Sequence, residues 1–119
     1  MKIKYLYIVL LVFITFSSCK KKETITPKIT FIELGSVRCI PCQKMKVVME
    51  KVEQNYPKNV EVIFYDVWTK EAEHFADDYN VDIIPTQVFL DQNGKEYFRH
   101  EGFFKYDELE KILLQKIKK

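Results

Sequence analysis

Two short strand-like runs flank one long stretch of helical periodicity, and this arrangement limits the possible folds more than any other feature of the chain. Ile29-Thr30-Phe31-Ile32-Glu33-Leu34 is β-branched and aromatic and stops at Gly35-Ser36, so it is read as a strand. From about Cys39 to Tyr56, Met45, Val48, Met49 and Val52 recur at i, i+3, i+4 and i+7, the spacing of one helix face, and Asn55 and Pro57 close the segment. Val60-Glu61-Val62-Ile63-Phe64-Tyr65 is nearly continuous in apolar residues, as expected of an interior parallel strand. Strand, helix and strand of these lengths make a parallel βαβ unit.

The remainder extends that unit. Lys70 to Tyr79 is predicted as a second helix, with Ala72, Phe75, Ala76 and Tyr79 on one face. After Ile83-Ile84-Pro85, Thr86 to Leu90 and Lys95 to His100 flank Asp91-Gln92-Asn93-Gly94, and Asn-Gly between two such runs signals a hairpin. Asp107 is expected to cap a last helix carrying Leu109, Ile112, Leu113 and Ile117. The order βαβαββα is an α/β arrangement with a mixed sheet, and 119 residues allow one domain with one core.

The N-terminus is of a different kind. Lys2 and Lys4 open it, Tyr5 to Phe16 is an apolar run, and Ser17-Ser18 supply the small residues of a cleavage site. Twelve helical residues reach about 18 Å, short of the roughly 30 Å hydrocarbon core, so residues 1–18 read as a signal peptide rather than a membrane span. Cys19 follows directly. Small residues before a cysteine at the end of such a run resemble the lipobox of bacterial lipoproteins, with Phe16 where that pattern usually has Leu; the resemblance implies lipid attachment at Cys19. Residues 19–28, polar and lysine-rich up to Pro27, then form a tether, and residues 29–119 form the folded domain. The net charge of +2 resides in this N-terminal part: without residues 1–28 the chain is near −3, and no basic face suited to nucleic acid is evident.

Three cysteines leave an odd one in an exported protein, and lipidation of Cys19 removes it from thiol chemistry. Cys39-Ile40-Pro41-Cys42 stands at a strand–loop–helix junction. Zinc usually needs four ligands, and His74 and His100 form no second pair, so a redox role is favoured over a metal site. At a helix N-terminus, Cys39 meets unpaired backbone N–H groups that favour the thiolate, and Arg38 adds a neighbouring positive charge. Pro41 suits the first helical turn, and Cys42 lies close enough to resolve a mixed disulfide formed by Cys39.

Leu34-Gly35-Ser36-Val37-Arg38-Cys39-Ile40-Pro41-Cys42-Gln43-Lys44-Met45, followed by Ile83-Ile84-Pro85-Thr86, resembles the thioredoxin family from Ile29 to the C-terminus. The resemblance implies the minimal thioredoxin fold. It implies a cis Pro85 beside Cys39, with the backbone of Ile84 pairing with substrate, and a Gly102 that lets a substrate chain approach. It also implies that Glu33, where the family has a buried Asp, exchanges a proton with Cys42; the alternative is an edge carboxylate facing water. The lysine that relatives often place near this acid is missing from Val62 to Tyr65. Arg38 stands where thioredoxins usually have Trp, which should alter partner choice. Trp68 either covers the site instead or packs in the core or a loop, and His100 is expected to be a surface residue.

By this resemblance the chain is a thiol–disulfide oxidoreductase that needs no cofactor and acts on protein disulfides outside the cytoplasm. It would hold to a membrane through its lipid and draw electrons from a membrane thiol reductase of the cytochrome c biogenesis type. Reduction is expected over oxidation or isomerisation, because Ile40 and Pro41 offer neither the charge nor the hydrogen bond that would strongly stabilise a thiolate. The rival is a non-catalytic binding or metal-delivery module of the same fold. Copper carriers of this fold, however, typically show Cys-x-x-x-Cys, one residue longer than the spacing here.

Overall fold

The computed structural model describes residues 26–119, so the expected signal peptide, Cys19 and most of the expected tether lie outside the described residues. Within them the elements run β1 (Ile29–Gly35), α1 (Ile40–Asn55), β2 (Val60–Asp66), α2 (His74–Asp78), β3 (Thr86–Asp91), β4 (Glu96–Glu101) and α3 (Tyr106–Ile117). The sheet order is β2-β1-β3-β4, with β1 parallel to β2 and antiparallel to β3, and β3 antiparallel to β4. This is the mixed four-stranded sheet that the sequence implies.

Side chains alternate along a strand, so β1 serves two layers. Ile29 and Phe31 face α1 and α3 and join Met45, Val48, Val52, Phe89, Leu109 and Leu113 in the larger core. Phe31 stacks on Phe89, its register partner on β3, with ring centroids 4.8 Å apart. Ile32 and Leu34 face the other way and join Val67 and Val88, with Tyr65, Phe75 and Tyr79 packed against them. Burial of each large apolar side chain contributes about 1.5–3 kcal/mol, so the larger cluster anchors the fold. At the end of that layer away from Cys39, Tyr56 and Tyr106 both donate to Glu110 Oε1, at 2.6 and 2.8 Å, and tie α1 to α3.

Four expectations need correction. β2 is an edge strand: it pairs only with β1, and its apolar run reflects cover on its two faces rather than neighbours on both sides. The second helix is five residues, not ten, because Val67 to Glu73 is taken up by turns held by Asp66 and Thr69. Asp107 does not cap the last helix; Lys105 is the N-cap, and Asp107 and Glu108 lie in the first turn, where carboxylates suit the helix dipole. In the hairpin, Asp91 Oδ1 accepts from the N–H groups of Asn93 and Lys95, so the carboxylate, and not Asn-Gly alone, shapes the turn.

Candidate active site

Cys39 is the N-cap of α1 and Cys42 lies in its first turn; the two are joined by a disulfide with Cα atoms 5.2 Å apart. The helix starts here because Pro41 fits its first turn and the Cys39 carbonyl accepts the first helical bond, from Gln43 N–H at 3.0 Å. Both sulfur-bearing residues are largely covered, Cys39 8% and Cys42 5% exposed.

The loop that presents Cys39 is fastened to the end of β2. Asp66 accepts from Val37 N–H through Oδ2 (3.2 Å) and from Trp68 N–H through Oδ1 (3.1 Å), and Ser36 Oγ accepts from Arg38 N–H (3.2 Å). Burial alone would raise the Asp66 carboxyl, but its bonds from Val37, Ser36 and Trp68 and the Arg38 charge prevail and leave it lowered. Nothing in the spacing of the sequence marks Asp66 or Ser36 for this part; the signal was a short polar residue at each strand end.

Arg38 turns its guanidinium to Trp68, with Nη2 donating to the Trp68 carbonyl at 3.2 Å and Cζ 5.5 Å from the ring centroid. Trp68 is therefore not core; it lies in the turn after β2, half-exposed and against Arg38. Val37, Ile40 and Phe103 are also exposed, as is Ile83, which lies next to Ile84.

The Ile84–Pro85 peptide bond is cis. No backbone–backbone hydrogen bond among the described residues engages Ile84, whereas the Pro85 carbonyl accepts from Gly102 N–H at 2.7 Å. Gly102 has φ +84°, a conformation that side-chain-bearing residues rarely adopt.

Glu33 lies on an interior strand and is fully buried. It shares the face of β1 that Gly35 occupies, and a Cβ at Gly35 would sit 3.1 Å from Cys42 Sγ. The acid therefore lies two residues along the strand from the point where β1 meets Cys42, with Phe64 and Gln87 as its register partners. Burial pushes the Glu33 carboxyl up to about 8, opposed by one hydrogen bond from Gln87 Nε2 to Oε1 at 3.4 Å. Oε2 has no partner among the described residues. Phe64, the register partner of Glu33 on β2, helps line an apolar cleft of about 360 Å³ with Val37, Cys42, Lys46 and Met49.

Gln87 was not singled out in the sequence, although a Gln entering the apolar run Val88-Phe89-Leu90 was the available signal. His100 is also not a plain surface residue: half-buried, its ring stacks on Phe104 at 4.1 Å and its Nδ1 lies 2.9 Å from Gln87 Oε1. His74 pairs with Asp78 on α2, and among the described residues no three His, Cys, Asp or Glu side chains converge as a metal site would require.

A family model for the thioredoxin-like domain matches residues 18–117. The chain belongs to that family. It is 33% identical to a thioredoxin of Mycoplasmopsis pulmonis over 95 residues, covering 76% of this chain and 87% of the relative. It is also 33% identical over 69 residues to a putative thioredoxin H10 of Arabidopsis thaliana, covering 58% of this chain. The chain spans about half the length of that relative and of a chloroplastic thioredoxin Y of Oryza sativa, 42% and 55% respectively. Among solved structures, a thioredoxin of Nicotiana alata superposes with a TM-score of 0.64 at 32% identity, covering 75% of this chain and 73% of the other. A thioredoxin from Halobacterium salinarum shows the same fold, with a TM-score of 0.68 at 22% identity and 78% of each chain covered. The protein is thus a member of the thioredoxin-like family with a Cys39–Cys42 disulfide.

Proposed function

We propose that this protein reduces disulfides of extracytoplasmic client proteins by dithiol–disulfide exchange, with Cys39 as the attacking thiol and Cys42 as the resolving one. The observation that carries this reading is a disulfide at the N-terminus of α1, in a fold where, among the described residues, no backbone–backbone hydrogen bond engages Ile84. A client strand can pair there, and exposed Val37, Ile40 and Phe103 offer it apolar contact.

The Cys39 thiolate attacks one client sulfur, the other leaves as thiolate, and a mixed disulfide forms. Cys42 loses its proton to Glu33, attacks Cys39 Sγ, and expels the second client thiolate. Two electrons pass to the client and Cys39–Cys42 is oxidised. In the reverse half-cycle a reductant's thiolate opens the disulfide and Glu33 returns a proton to Cys42. An acid near 8 is poised for both directions at neutral pH. Arg38 and Trp68 flank the site and contribute to the choice of client.

Cys19 would carry the lipid that holds the domain to a membrane, and a membrane thiol reductase would supply electrons. Mass spectrometry of the mature protein should find an acylated Cys19 as its first residue; an unmodified thiol there would end the anchoring proposal. Catalysis is tested with insulin and dithiothreitol: the protein should accelerate insulin reduction, and its potential should lie near the roughly −270 mV of thioredoxin. A potential at the oxidising end, with reduced clients oxidised faster than insulin is reduced, would reverse the direction.

A further inference from the structure

The buried acid is held by a chain of side chains that reaches the other end of the sheet, and this deepens the reading of Glu33 as proton relay, on which it rests. Gln87 and Glu33 are register partners on β3 and β1, both fully buried. Gln87 Nε2 donates to Glu33 Oε1 at 3.4 Å and to the Gly102 carbonyl at 3.1 Å, which uses both of its protons. Its Oε1 faces His100 Nδ1 at 2.9 Å, across the β3–β4 register pair Gln87–His100.

The amide has one workable orientation. Turned over, it would set its oxygen against the Gly102 carbonyl, which now accepts at 3.1 Å, two acceptors with no donor between them. With the amide oxygen toward β4, His100 must present Nδ1–H, and its ring is kept in place by the stack on Phe104. Glu33 is then fixed through Oε1, and Oε2 is the oxygen left without a partner.

We propose that Gln87 is a positioning residue for the exchange reaction: it holds Glu33 by Oε1, leaves Oε2 to pass the proton to and from Cys42, and is itself locked in orientation by His100. The groups that face Glu33 fit this division. β2 presents Phe64, β3 presents Gln87, α1 presents Cys42 beyond Gly35, and β1 places Phe31 and Gly35 on the same face, so Cys42 is the titratable group among them. His100 reaches the acid only through Gln87. The Gly102 bond also links the acid to the loop at which a client chain would arrive, so the network spans the proton site and the docking edge.

The test is the carboxyl titration of Glu33, followed by carbon-13 NMR in the full chain, beside the pH profile of Cys42 release from the Cys39–Cys42 disulfide when the dithiothreitol thiolate attacks Cys39. Gln87→Leu removes the amide donor to Glu33 at similar volume. The Glu33 midpoint should rise by roughly one pH unit, and the release profile should move with it. His100→Phe keeps Gln87 and the stack on Phe104 but frees the amide to turn, and should give a smaller rise of the same sign. That second variant keeps the test open if Gln87→Leu does not fold. A Glu33 midpoint unmoved in both variants would overturn the part given to Gln87. A midpoint that rises while the release profile stays in place would overturn Glu33 as the relay.

Discussion

The two faces of the sheet are built differently. The face under α1 and α3 holds fully buried Phe31, Phe89, Met45, Leu109 and Leu113, then gives way toward Cys42 to two fully buried polar residues, Glu33 and Gln87. The face under α2 buries Ile32, Leu34, Val67 and Val88, and its cover is a five-residue helix with no fully buried side chain. One face therefore carries both the stability and the chemistry, and the other closes the sheet. A buried acid costs stability wherever it is placed. Here it lies beside the best-packed layer, which can absorb that cost.

The contrast breaks or holds on paired truncations. Phe89→Ala, at the centre of the larger face, should cost about 3–5 kcal/mol in denaturant unfolding. Phe75→Ala on half-buried α2 should cost less than about 2 kcal/mol, since part of that ring is already in water. Equal losses would show that the two faces share the load.

The cost of the acid has a pH signature. With Glu33 raised from its ordinary 4.5 to about 8, the unfolded chain ionises this group first. Between those values the folded state binds the extra proton, so stability is full below 4.5, falls as pH rises, and levels off above about 8. The slope should approach about 1.4 kcal/mol per pH unit in the oxidised protein, and Glu33→Gln should remove it. The same variant should slow release of Cys42. Identical stability–pH curves for Glu33→Gln and the wild type would mean that the acid is not held neutral.

The smallest effect is expected at the rim. Arg38 is exposed and stacks on Trp68, so Arg38→Ala should change stability by under about 1 kcal/mol. It should instead change the relative rates with acidic and basic client peptides, and salt should weaken that difference. Unchanged relative rates would leave Arg38 without a part in client choice.

Much of this was legible in the sequence for local reasons. The period of Met45, Val48 and Val52 identified α1, the cysteine pair identified its start, and Ile84-Pro85 marked the edge where the chain turns. What was not legible depends on register across the sheet. Whether β2 is interior or at an edge depends on where β3 inserts, and its apolar run is the same in both cases. The pairing of Glu33 with Gln87, and of Gln87 with His100, links residues 54 and 13 positions apart, and no periodicity reports it. Asp107 and the second helix were misread because Lys105 and the Val67–Glu73 turns set those boundaries through backbone bonds, which side-chain patterns do not show.

The central claim is that Cys39 attacks client disulfides and Cys42 resolves them, and trapping tests it most directly. Cys42→Ser should accumulate mixed disulfides joined through Cys39, visible by mass spectrometry after alkylation, and Cys39→Ser should accumulate none and lose insulin reduction. Mixed disulfides joined through Cys42 in the Cys39→Ser variant, or insulin reduction that survives the loss of Cys39, would contradict the account.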